Sequence, residues 1–247
     1  TIAPPVGTAP RIPPDVYAAD PLTPEHLNLL RAFAELHTPL LKGESGATDE
    51  QIVDARFELI QPLSYPGITN DFRTQYSRLV GERLADALGE DRSLLSRLNA
   101  MIVVSRLQVD DNVLALMVQG TRDPSPAVRY WAVKSITGPR VATLSGAQLT
   151  ELLGQLEAML AREQALEVLR ELFQALVDLP GQQGLELVVS ALNQRVQSHV
   201  GRPLLPYHAE HAGMRSAFQK LVALQSANVN VQPMLRELAR AAAQYLF

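Results

Sequence analysis

The stretch DPSPAVRYWAVKSI, residues 123–136, decides the fold because it ends one helix and starts the next within a few residues. Pro124 prevents the preceding helix from running on, Ser125 is a good N-cap, and Pro126 has the φ angle that a first helical position needs. Apolar residues recur at helical spacing on both sides of this turn: Val113, Leu114, Leu116 and Met117 before it, and Val128, Ala132, Val133 and Ile136 after it. Two amphipathic helices joined by so short a turn must lie antiparallel, so the sequence predicts a helical hairpin here.

Helical periodicity also extends over most of the chain, and no segment has the alternation typical of strands. Thr23 and Pro24 start a helix that we expect to stop before Pro39. Thr48 and Ser145 each begin a capping box. The clearest stripes predicted to be buried are Leu149, Leu152, Leu153, Leu156 and Leu160, then Leu166, Leu169, Leu172, Phe173 and Leu176, and finally Leu235, Leu238, Ala242, Tyr245 and Leu246. The sequence therefore predicts an all-α protein.

The composition predicts three regions. Residues 1–20 contain five prolines and are expected to form an extended, Pro-rich tail. Residues 21–97 are expected to form an N-terminal helical cap or a small subdomain, and residues 98–247 a series of helical repeats. The Pro-rich start, which has no initiator Met, resembles the mature end of an exported bacterial protein, and an exported or periplasmic location is as compatible with it as a cytoplasmic one.

Seven residues of the opening stretch resemble the inter-helix turn and second helix of a HEAT repeat: Asp123, Pro124, Pro126, Val128, Arg129, Ala132 and Ile136. The resemblance covers about residues 99–137. It implies a right-handed α-solenoid of stacked antiparallel helix pairs, HEAT- or armadillo-like, with an atypical N-terminal cap. It also implies that Asp123 and Arg129 contribute to a ladder of hydrogen bonds and ion pairs between neighbouring repeats.

Composition excludes several functional classes. The 247-residue chain is 47% hydrophobic and 19% charged, and its 22 basic and 26 acidic residues are interspersed, so no basic stripe is available to track phosphates. No run reaches the roughly 18 apolar residues of a membrane span. Because the chain has no cysteine, disulfides, thiolate catalysis and cysteine-based metal sites are excluded. We therefore expect a protein or peptide partner and no cofactor, nucleic acid or membrane span, and the oligomeric state is open.

Tyr130, Trp131 and Lys134 are the predicted partner-binding residues. If the apolar residues of their helix face the core, one of the two aromatic side chains must face outward. The HEAT resemblance implies that this second helix lines a concave binding face, where an exposed aromatic residue beside a lysine would be a hot spot for peptide binding. The alternative is that these side chains pack against the adjoining repeat.

Candidate metal or catalytic groups are few. His208 and His211 lie one helical turn apart, with Glu210 between them, but no third ligand can be identified and the spacing is not that of a zinc protease. The start of a surface helix explains these residues equally well, so no metal site is assigned. Acidic pairs fall at predicted helix ends, and the motifs of serine hydrolases and nucleotide-binding proteins are missing.

Three hypotheses for function follow. The leading one is a non-catalytic protein-binding scaffold or adaptor that uses the concave face of an α-solenoid. The second is a helical enzyme or enzyme-associated domain with a metal near His208 and His211. The third is a structural module of a larger assembly.

Overall fold

A computed structural model describes residues 11–197, 208–227 and 229–246, and the side chains of all of these except residues 45, 208, 245 and 246. Within these ranges every regular element is helical. The all-α prediction is confirmed for the described part of the chain.

The α-helices of the described residues are numbered in chain order: α1 (Pro14–Ala18), α2 (Pro24–Leu41), α3 (Asp49–Ile60), α4 (Asn70–Arg83), α5 (Leu94–Val104), α6 (Asp111–Gly120), α7 (Pro126–Ser135), α8 (Gly138–Val141), α9 (Gly146–Arg162), α10 (Leu166–Asp178), α11 (Gln183–Gln197), α12 (His208–Ser226) and α13 (Gln232–Leu246). Short 3-10 helices lie at Glu44–Gly46 and Gln61–Ser64. Among these described helices, none combines the length and the apolar character that crossing a bilayer requires.

The described residues fall into two compact units that divide between Trp131 and Ala132, inside α7. In the first unit α2 packs against α4 and α4 against α6, while α3 packs against α5. In the second unit α9 packs against α11, α11 against α13, and α10 against α12. Successive helices also contact each other, as α2 does α3 and α10 does α11. Each unit therefore contains two rows of helices, with alternate helices side by side.

Capping residues fix where several of the helices begin. The hydroxyl of Thr48 accepts a hydrogen bond from the backbone of Gln51, whose side chain accepts one from the Thr48 N–H, and Ser145 and Gln148 repeat this arrangement at α9. These are the two capping boxes predicted from the sequence, and they satisfy N–H groups that a helix start leaves unpaired.

One predicted helix end is wrong, because α2 continues through Pro39 to Leu41. A proline removes a single backbone donor, and the last turn is still held by a hydrogen bond from the Lys42 N–H to the Thr38 carbonyl at 3.0 Å. Leu41 is fully buried. Burial of this side chain offsets what Pro39 costs in the last turn of the helix.

The sequence predicts an extended tail over residues 1–20, but residues 14–18 form the helix α1. Pro14 occupies the first helical position, which suits its fixed φ angle. Val16 and Tyr17 are buried, and the Tyr17 ring packs 4.9 Å from that of Phe72 in α4. Burial of these two apolar side chains therefore favours a helical turn where proline content alone predicts extended chain.

Candidate functional site

The opening stretch forms the predicted turn between α6 and α7, held by a buried aspartate. Asp123 accepts hydrogen bonds from Arg97 Nε at 2.8 Å and from the Ser125 N–H at 2.8 Å. Arg129 donates from Nη1 to the carbonyls of Asp123 and Pro124, both at 2.9 Å. Together these contacts hold the turn in place and tie it to α5. The inter-repeat ladder of Asp123 and Arg129 stays a prediction.

Arg97 is an important residue that sequence reasoning missed. It lies in α5 with only 9% of its surface exposed, and its ion pair with Asp123 is correspondingly buried. It also donates to the Arg92 carbonyl at 2.6 Å. The available signal was a single arginine on the apolar face of a helix, a position where a charged side chain needs a buried partner.

The predicted partner-binding residues lie along α7. Tyr130 and Trp131 are half-buried, and their rings meet edge to face with centroids 5.9 Å apart. Lys134 is exposed. The two aromatic residues belong to the first unit and the lysine to the second. Their role in binding a partner stays a prediction.

The predicted metal candidates lie at the start of α12. His211 is exposed, whereas the side chain of His208 lies outside the described residues. Glu210 is fully buried rather than on a surface turn as expected, and its Oε1 accepts a hydrogen bond from Arg195 Nε at 2.6 Å. Across the described side chains, no three His, Asp or Glu residues are close enough to hold a metal ion. A metal near His208 and His211 remains only the alternative hypothesis named above.

An apolar groove lies between α12 and α13, with a volume of about 420 Å³. Six side chains form its apolar walls and floor: Met214, Phe218, Leu235, Leu238, Ala239 and Ala242. Its polar lining is His211 and Arg215, both on α12. The lining residues of each helix follow one another at the i, i+3 and i+4 spacing that places side chains on one face of a helix. These two faces form the two sides of the α12–α13 groove.

The groove is open because its two helices are anchored through other faces. Gly213 brings α12 so close to α10 that a Cβ atom would lie 2.8 Å from the ring of Phe173. On α13, Ala241 is fully buried, and the helix packs on α11. By contrast, Phe218 is 55% exposed and the neighbouring Val222 is 44% exposed. The outer face of α12 thus leaves apolar surface uncovered.

Charged residues cluster elsewhere, in the first unit, where the end of α2 meets the loop after α4. Lys42 and Arg92 each contact both Glu44 and Asp86 at distances of 2.7 to 3.1 Å. Burial raises the pKa of Asp86, but the hydrogen bonds and charges of Lys42 and Arg92 outweigh it and hold that pKa below the ordinary value. Burial lowers the pKa of Arg92, and Asp86 reverses this, so the net pKa is raised. The four charges neutralise one another, and their evident role is to fix the loop.

Comparisons with known proteins assign no family to this chain. The chain matches no protein-family model, no curated protein and no solved structure. The HEAT resemblance over about residues 99–137 therefore stays a prediction from the sequence.

Proposed function

We propose that the protein is a non-catalytic scaffold that binds another protein. The observation that carries this proposal is the α12–α13 groove, which exposes Phe218 and neighbouring apolar side chains on two well-anchored helices. Exposed apolar surface of this kind is costly in water and typically marks a site of protein association. Phe218 lies at its edge, and aromatic side chains are enriched at such interfaces.

The proposal includes a HEAT-like α-solenoid architecture. Two features support it: the turn at Asp123, and the packing of alternate helices in both units. In stacks of helix pairs, each pair buries its apolar face against the next, which produces rows of alternate helices. Tyr130, Trp131 and Lys134 on α7 are the second proposed contact with a partner, as the resemblance implies.

Affinity capture with matched baits tests the function. Four baits are compared by mass spectrometry of the captured proteins: the native chain, Phe218→Ser, Phe57→Ser and a Tyr130/Trp131/Lys134 triple-alanine variant. Phe57 on α3 is 59% exposed, so it is a matched control for the loss of an exposed aromatic residue. We expect a partner that the native chain and Phe57→Ser retain and Phe218→Ser loses. Identical sets of captured proteins with the native, Phe218→Ser and triple-alanine baits would contradict the proposal.

A further inference from the structure

We propose that the α12–α13 groove binds an amphipathic helix of another protein whose apolar face is flanked by acidic residues. This inference rests on the proposed scaffold function, because it names the chemistry of the partner at the same surface. It is carried by the shape of the groove and by the charges beside it.

The shape fits a helix. Lining residues fall at positions 211, 214, 215 and 218 of α12 and at 235, 238, 239 and 242 of α13. This spacing forms a ridge along each helix, and a third helix can lay its own apolar ridge between two such ridges. Phe218 is a wall that a partner would cover, whereas Leu238, only 4% exposed, forms the floor. Ala239 and Ala242 leave room for the side chains of the incoming helix.

The charges beside the groove favour a partner helix whose apolar face is flanked by acidic residues. The acidic residues of α12 and α13 are Glu210 and Glu237, and both are already paired, with Arg195 and Arg240 respectively. Arg215 lines the groove, and within the described residues it has no hydrogen-bond or ion-pair partner. Arg236 is likewise exposed and unpaired in the described part of the chain; it is not part of the groove lining, but on α13 it lies next to the lining residues Leu235 and Ala239.

Other occupants fit less well. A second copy placed symmetrically across the groove would bring the arginines of both copies to one interface, where the acidic residues of α12 and α13 are already paired and like charges repel. An anionic lipid surface would satisfy the arginines, but a flat bilayer cannot reach the recessed floor at Leu238. A narrow, convex and acidic ligand satisfies both the recess and the charge.

Peptide binding tests the inference with the full chain. Three fluorescein-labelled helical peptides share one apolar face of leucines at helical spacing and differ only in their flanking residues, which are Glu, Gln or Lys. Fluorescence anisotropy measures the dissociation constant of each peptide at low and at high ionic strength. We expect the Glu-flanked peptide to bind roughly tenfold more tightly than the Lys-flanked peptide in dilute salt, with most of this difference lost in concentrated salt.

Variants separate the contribution of charge from that of shape. Arg215→Gln combined with Arg236→Gln should abolish the preference for Glu flanks while the Gln-flanked peptide still binds. Arg170→Gln, which removes an exposed charge from α10, is the matched control and should keep the preference. Ala239→Trp fills the groove without changing its charge, and it should weaken binding of all three peptides by at least about tenfold.

Each remaining outcome overturns the inference. Equal affinities for the three peptides would show that the flanks do not matter. Failure of all peptides, with anionic phosphatidylserine vesicles binding the native chain and not Ala239→Trp, would make the groove a lipid site. Failure of all peptides with a doubled mass in light scattering that Ala239→Trp reverses would make it a contact between copies. If peptides fail but Phe218→Ser still loses a captured protein, the scaffold function stands and only the chemistry of the partner is wrong.

Discussion

The buried pair of Arg97 and Asp123 joins α5 to the turn before α7, and only 3% of the Asp123 side chain is exposed. Arg97→Met would leave this carboxylate without its charged partner in a desolvated position. Removal of one member of a buried pair is strongly destabilising, so we expect the free energy of unfolding to fall by about 3 kcal/mol. Urea denaturation of the native chain and the variant measures this difference.

Two controls make the Arg97 result specific. Arg78→Met breaks an exposed pair with Glu82, and its expected cost is within about 1 kcal/mol. Arg97→Met combined with Asp123→Asn removes the uncompensated charge while an amide oxygen can still accept from the Ser125 N–H. The double variant should therefore lose less stability than the sum of the two single variants. Strict additivity would contradict a direct interaction between the two side chains.

His37 predicts a pH dependence of stability. Its ring is buried 4.5 Å from that of Phe33, and Nε2 has no hydrogen-bond partner in the described structure. Burial lowers the pKa of His37 below its ordinary value of 6.5, although the negative charge of Glu58 acts in the opposite direction. At pH values below 6.5 the unfolded chain therefore binds more protons than the folded chain. The free energy of unfolding then decreases as the pH falls, until the pH has passed below the lowered pKa of His37.

The measurement compares the native chain with His37→Leu by urea denaturation at about pH 7.5 and about pH 5.5, on either side of the ordinary histidine pKa. The native chain should lose more unfolding free energy between the two values than the variant, because leucine does not titrate. Other ionisable groups contribute alike to both proteins. Equal losses would show that His37 does not link folding to protonation.

At the scale of the helix, α10 offers a test of helical phase. Leu169 is fully buried, whereas Leu166, one turn earlier in the same helix, is 38% exposed. Leu169→Ala should cost about 2–5 kcal/mol of unfolding free energy, since it removes buried methyl groups and leaves a cavity. Leu166→Ala should cost about 1 kcal/mol or less, because much of its surface already contacts water. Similar shifts in the urea midpoint would contradict the observed phase of the helix.

Sequence periodicity predicts which face of each helix is buried better than it predicts how far the burial extends. Leu152, Leu156 and Leu160 of α9 are buried as expected. Leu166 was predicted to be buried and is not, because periodicity gives the direction of a side chain and says nothing of whether a neighbouring helix reaches the helix end. Local rules also fail at Pro39, where α2 continues to Leu41. They do not take into account that Leu41 is buried by tertiary packing.

At the scale of the molecule, the sequence locates the lining of the groove without showing that it is open. Leu235, Leu238 and Ala242 form a stripe predicted to be buried, yet Leu235 and Ala242 are only half-buried. The pattern is equally typical of a helix inside a core and of one that lines a binding groove. Arg97 and Asp123 likewise lie 26 residues apart, and no local pattern pairs them.

The two units predict how a local perturbation spreads through the molecule. Leu59 of the first unit and Leu172 of the second are both fully buried, so alanine at either position should create a cavity of similar chemistry. Because each helix packs mainly on neighbours of its own unit, we expect hydrogen–deuterium exchange in Leu172→Ala to increase more in α9–α13 than in α2–α6. Leu59→Ala should give the converse pattern. An equal increase in both units for either variant would mean that the described chain opens as a single cooperative body, and the division inside α7 would then have no energetic counterpart.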